Sequence, residues 1–120
     1  MIGIGCDLVE IVRMERAVGE DHLLTRTLTP AERTALQDAG QPAQWLAGRW
    51  AAKEAVAKAL GCGLAGCPPQ EVEVLPDSQG RPCVRLMGTA AQSLRQLGGR
   101  EVLVSISHDG GYALAYAAVQ

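Results

Sequence analysis

The sequence predicts an α+β domain in which a mainly antiparallel sheet packs on one long central helix. Three observations carry this. The chain opens on the alternating, β-branched stretch IGIGCDLVEIV. Its middle, about residues 43–60, holds apolar residues at helical spacing with no internal proline. Its second half holds two pairs of β-rich segments, each pair straddling a turn signal, PDSQGR and HDGG. At 120 residues the whole chain, 1–120, is expected to be a single domain.

Taken in order, a strand is predicted over about residues 2–9, followed by a short helix from Arg13 to Gly19. TPAER reads as a helix start, with Thr29 as the cap, Pro30 at the first helical position and Glu32 closing a capping box. DAGQP ends that helix, and the long helix then runs from about Ala43 to Leu60. GCGLAGCPPQ breaks it. EVEVL and PCVRLM form a hairpin, TAAQSLRQLG a helix ending at Gly98, and VLVSIS with YALAYAAV a closing hairpin.

Composition limits the function. Apolar residues make up 48 % and charged residues 20 %, an ordinary globular balance. A formal charge of -2 argues against general nucleic-acid or membrane binding, which needs a basic excess. Any anion site must therefore be a local cluster. Cys62 and Cys67 are spaced C-x4-C with neither histidine near them, which is no zinc pattern. The four cysteines are expected to be small buried thiols in a reducing compartment. With no basic, cleavable leader in MIGIGCDLVEIV and no long uncharged apolar run, a cytoplasmic location is expected.

Charge placement narrows the site. On the first strand, Ile2, Ile4, Cys6 and Leu8 share one face, while Gly3, Gly5, Asp7 and Val9 share the other. Two glycines beside a carboxylate leave a bare face that a ligand or another backbone can approach. On the long helix, Trp45, Leu46, Ala52, Ala55, Val56, Ala59 and Leu60 form an apolar arc. Glu54 and Lys58 lie opposite it, among Ala47, Trp50, Ala51 and Ala57. Arg49 and Lys53 lie one turn apart with no acid between them, a repulsion of about 0.2–0.5 kcal/mol. A Glu54–Lys58 ion pair, worth about 0.3–0.5 kcal/mol, would account for two of these four charges. A bound polyphosphate would account for all of them. His108 stands where a strand enters a tight turn whose N–H groups can cradle phosphate, whereas His22 reads as a surface-loop residue.

Three stretches, GIGCDLVEIVRM, GRWAAKEAVAKALGCG and VSISHDGGYALAYA, in this order, resemble the holo-[acyl-carrier-protein] synthase family, the short bacterial 4′-phosphopantetheinyl transferases. The resemblance spans nearly the whole length. It implies that family's fold and the Mg²⁺-dependent transfer of phosphopantetheine from coenzyme A to a serine of apo-acyl carrier protein, with release of adenosine 3′,5′-bisphosphate. Carried onto matching positions, Asp7 and Glu54 would bind Mg²⁺, with Lys58 on the pyrophosphate. Arg49, Gly61, Gly63 and His108 would help seat the nucleotide end of coenzyme A, and Arg13 would contact the acidic carrier protein. A homotrimer with interfacial active sites is implied too. Trp50 stands where phenylalanine is common in this family, and HDGG makes the last turn unusually glycine-rich.

The chemistry agrees with these positions. Two carboxylates about 4 Å apart repel by roughly 4 kcal/mol at an effective dielectric of about 20, so a cation is needed to hold them together. Mg²⁺ takes one or two carboxylates and completes its shell with phosphate oxygens and water. The base for the serine is open between Glu54 acting through a water and a water on the metal. The alanines around Glu54 and Lys58 are expected to let coenzyme A approach the helix. A non-catalytic coenzyme A or nucleotide-binding module would need the phosphate ligands but not the acid pair. A two-metal phosphohydrolase would need further acids or histidines.

Overall fold

A computed structural model describes residues 2–120 of the chain. The first strand, β1 (Gly3–Glu10), is followed by two short 3₁₀ turns, Ile11–Met14 and Ala17–Gly19, where one helix from Arg13 to Gly19 was expected. Neither turn has a side-chain cap, and each runs three or four residues, the usual extent of a 3₁₀ helix. A helix not expected from the sequence, α1 (Asp21–Thr27), then leads into α2 (Pro30–Gln37). The capping box of α2 is formed as the sequence indicates: Glu32 N donates to Thr29 Oγ1 at 3.2 Å, and Thr29 N donates to Glu32 Oε1 at 2.9 Å.

The long helix α3 (Pro42–Leu60) ends at Gly61, whose φ of 72° reverses the chain at the C-cap. A single turn, α4 (Gly63–Gly66), lies inside the predicted breaker. The strands β2 (Val72–Pro76) and β3 (Pro82–Leu86) form the first hairpin, and α5 (Gly88–Gln96) follows. The strands β4 (Val102–Asp109) and β5 (Tyr112–Val119) form the second. Gly110 and Gly111 both take positive φ in its two-residue turn, the geometry that matches strand twist. All pairings are antiparallel, but they make two sheets, β1-β5-β4 and β2-β3.

The three-stranded sheet lies directly on α3. A Cβ at Gly3 would collide with the carbonyl oxygen of Ala59, and one at Gly5 would lie 2.8 Å from Lys58 Cβ. The bare strand face is therefore filled by backbone, one of the two options the sequence left open. It also corrects the role expected of the alanines. Ala47, Ala51, Ala52, Ala55 and Ala57 are buried by the protein itself, so their small size lets strands, not coenzyme A, approach α3. The helix has no single apolar arc; it is buried on almost every side, with Lys53 included.

Lys53 is a second correction. Rather than facing an anion beside Arg49, its ammonium bonds Glu32 Oε1 at 2.8 Å, with both side chains fully buried. Its other protons go to the carbonyls of Pro69 and Val72, while Glu32 Oε2 accepts from Val74 N at 2.7 Å. This hub ties α2, α3 and β2 together and leaves no buried polar side-chain atom unsatisfied among the described residues. Burial lowers the Lys53 pKa, opposed by the Glu32 charge.

The cysteines also differ from expectation. Cys62 and Cys67 form a disulfide, their Cα atoms 6.1 Å apart across the turn of α4. Cys6 and Cys83 are free and exposed, so Cys67 alone among the four is fully buried.

Candidate active site

Because β1 lies along α3 through its glycines, Asp7 comes level with the C-terminal half of the helix. Lys58 Nζ donates to Asp7 Oδ1 at 3.1 Å and to the carbonyl of Cys6 at 2.9 Å. Lys58 thus bonds across to the strand and not to Glu54, contrary to the intrahelical pair considered from sequence. Glu54, one turn earlier, is half-buried. Burial first, and then the negative charge of Asp7, raise its carboxyl pKa above the ordinary value, while Lys58 pulls it down. Glu54 therefore senses the charges of both Asp7 and Lys58. Among the described residues no group of three or more His, Cys, Asp and Glu is placed to hold a metal. A cation here would have two carboxylates from the protein and would complete its shell from elsewhere.

Gly61 lies at the same end of the helix, its N–H donating to the carbonyl of Lys58 at 3.1 Å, and Gly63 follows with a φ of 63°. Both follow Lys58 closely along the chain, whereas Arg49 and His108 make their contacts elsewhere. Arg49 precedes Glu54 by five positions, about 140° around the helix and about 7.5 Å along it. Its Nε donates to the carbonyl of Val74 at 3.1 Å and its guanidinium stacks on Trp45, 4.4 Å from the ring centroid. His108 packs over Gly48, where a Cβ would stand 3.2 Å from His108 Nε2. Arg49, His108, Trp45 and Gln44 line an open cavity of about 340 Å³. The predicted nucleotide residues thus fall into two half-sites on one chain.

Arg13 is exposed in the 3₁₀ turn after β1 and stands at the rim of an apolar cavity of about 210 Å³ lined by Met14, Leu23, Leu46 and Trp50. Trp50 precedes Glu54 by one helical turn, so this wall of the cavity and Glu54 share one side of the helix. Sequence reasoning missed it, because its walls come from separate elements that only folding assembles. His22 is exposed in α1 rather than in a loop.

A strand carboxylate bonded to a helix lysine, with a second carboxylate one helical turn away, is an arrangement suited to compensating charge in a phosphoryl-group transferase. The family model described as the 4′-phosphopantetheinyl transferase superfamily matches residues 3–117, and the chain belongs to that superfamily. Within it, the chain is similar to the holo-[acyl-carrier-protein] synthase of Moorella thermoacetica. The two are 45% identical over 121 residues, which covers 100% of this chain and 94% of that protein. The crystal structure of holo-[acyl-carrier-protein] synthase from Neisseria meningitidis superimposes with a TM-score of 0.91 at 33% identity, covering 100% of this chain and 99% of that one. The Helicobacter pylori holo-[acyl-carrier-protein] synthase, solved in complex with coenzyme A, gives 0.84 at 29% identity over 98% and 99% of the two chains.

Proposed function

We propose that this chain transfers the 4′-phosphopantetheine group of coenzyme A to a serine of apo-acyl carrier protein, with Mg²⁺ as the metal and adenosine 3′,5′-bisphosphate as the product. The observation that carries the reading is the meeting of Asp7 from β1 with Glu54 and Lys58 from α3. The donor set fits a hard cation: burial, and then the charge of Asp7, raise the pKa of the Glu54 carboxyl, and the lysine ammonium compensates Asp7. When bound, Mg²⁺ supplies charge neutralisation for a diphosphate ester.

In the reaction the serine oxygen forms a new bond to the phosphorus that bears pantetheine. The bond from that phosphorus to the bridging oxygen breaks, and the bisphosphate leaves with the electron pair. Lys58, half-exposed and free to swing from Asp7, stabilises the negative charge that grows on the leaving group. Glu54, with its raised pKa, takes the serine proton through a water. Phosphoryl transfer needs positioning and charge compensation more than a protein nucleophile. Gly61 and Gly63, both at positive φ, place no side chain at the end of the helix that would obstruct the phosphates. Arg13, at the rim of the apolar cavity, suits an acidic carrier that also offers an apolar side chain.

The assembly in this reading is a homotrimer. The outer face of the β1-β5-β4 sheet exposes Ile4, Leu8, Leu103, Leu114 and Tyr116, an apolar surface too continuous for an isolated monomer. A neighbouring copy covering it would also bring the Arg49–His108 half-site toward another subunit's Asp7 and Glu54. Among the described residues no helix is long and apolar enough to cross a membrane.

The test is to mix the protein with Mg²⁺, coenzyme A and an apo-carrier protein and to weigh the carrier by mass spectrometry. A gain of one phosphopantetheine group is expected. An unchanged carrier mass, with coenzyme A still bound, would favour a non-catalytic binding module.

A further inference from the structure

The disulfide Cys62–Cys67 is used by nothing described so far. It closes a loop at the end of the helix that carries Glu54 and Lys58, with a sequence separation of 5 between its cysteines. Cys62 follows Lys58 by one helical turn, and its N–H closes the helix onto the carbonyl of Ala57 at 3.2 Å. Cys67 is fully buried in the main core. The bridge thus fastens the helix terminus, and the glycine turn next to the phosphate cluster, to the protein interior.

Among the described residues the turn packs on α3 and α5 but has few fastenings of its own. α4 is a four-residue helix with no side-chain cap, closed at Cys67 N by a 3.0 Å bond to Gly63 O. It contains Gly63 and Gly66 and follows Gly61, three residues whose ordering costs the most backbone entropy. A single helical turn of this composition does not stay formed unaided. Gly66 also lies against Cys62, where an added Cβ would stand 2.9 Å from Cys62 Cβ, so the bridged conformation is close-packed.

We propose that Cys62–Cys67 is a reducible cross-link that controls how well this turn is ordered, and thereby how tightly the neighbouring site holds coenzyme A. The second clause rests on the transferase reading; the first does not. Cys62 is partly accessible whereas Cys67 is buried, so attack falls on the sulfur of Cys62. A dithiol reductant acts in two steps. Its thiolate bonds to the Cys62 sulfur, the Cys62–Cys67 bond breaks, and Cys67 leaves as a thiolate that takes a proton. The reductant's second thiolate then bonds to its own linked sulfur and releases Cys62, which is protonated in turn. The reductant ends as a cyclic disulfide, having given up two electrons. The open form keeps Asp7, Glu54 and Lys58 but loses the fixed turn beside them.

The experiment compares protein equilibrated with oxidised glutathione and desalted with protein treated with dithiothreitol. In the oxidised form, alkylation is expected at Cys6 and Cys83 alone, with Cys62 and Cys67 reacting only after reduction. On reduction, amide hydrogen exchange over residues 61–67 should rise at least about tenfold while exchange in β5 stays unchanged. The KM for coenzyme A should rise roughly three- to tenfold, with kcat little altered. Cys62→Ser and Cys67→Ser should both show the reduced-form KM and no response to dithiol. Alkylation of all four cysteines in the oxidised sample, or unchanged exchange in the loop, overturns the cross-link. Faster exchange with an unchanged KM overturns its effect on coenzyme A. If neither form transfers anything but exchange still responds, the transferase reading has failed and the cross-link stands.

Discussion

Lys53 and Lys58 sit on one helix, five positions apart, yet they belong to different parts of the molecule. The first is wholly inside, held by Glu32 at 2.8 Å and by two carbonyls. The second reaches the strand carboxylate Asp7 at 3.1 Å with its side chain 53% exposed. Full burial makes the inner pair indispensable to packing, because removing either charge leaves the other inside the protein without its counter-ion. Partial exposure makes the outer pair exchangeable, so its lysine can leave Asp7 for a phosphate at little cost. Neighbouring residues in one motif thus divide between holding the fold and performing the chemistry.

The largest expected effect lies on the outer side. Glu54→Gln should lower transfer by roughly a thousandfold, with a melting temperature close to that of the parent protein. Asp7→Asn should behave alike, and a chelator should silence the parent enzyme. Substantial Mg²⁺-dependent activity in both variants, read from the carrier mass, would break the proposed division.

Next comes the inner pair. Glu32→Ala strands the Lys53 ammonium and should cost about 3–5 kcal/mol in urea unfolding. Replacing both charges together, Glu32→Leu with Lys53→Met, should recover much of that loss. A single variant as stable as the parent would show that the pair is not what holds α2 to α3.

Lys58→Met sharpens the contrast within one residue type. Stability should change by less than about 1 kcal/mol, while kcat/KM for coenzyme A falls by at least roughly a hundredfold. A stability loss as large as that of the inner pair would remove the distinction.

The smallest effect is a titration of the metal-free protein. Burial and the Asp7 charge raise the pKa of Glu54, so the folded state holds this proton more firmly than the unfolded chain does. Its contribution to stability is present below the unfolded pKa and is lost as pH rises through the folded one. In Asp7→Asn the Glu54 carboxyl resonance should titrate at lower pH by NMR. A titration unmoved or shifted upward would mean that the two acids do not sense one another.

The sequence alone determined most elements, because their signals are local: the Thr29–Glu32 box, Gly61 and Gly98 at helix ends, and the Gly110–Gly111 turn. It also marked Asp7, Glu54 and Lys58 through motifs at fixed spacing. Only the tertiary structure decided which partner each charge took. Capping explained Glu32 so completely in sequence that its second oxygen and the lysine 21 positions away went unseen. The alanines read as room for a ligand until the glycines of β1 were seen to press backbone against α3. The C-x4-C spacing read as free thiols, and only the helical turn between them brings the two Cα atoms within bonding range. Caps and turns depend on neighbours along the chain, whereas burial and charge pairing depend on neighbours in space. The latter follow from how strand and helix are laid together, which no short stretch of residues encodes.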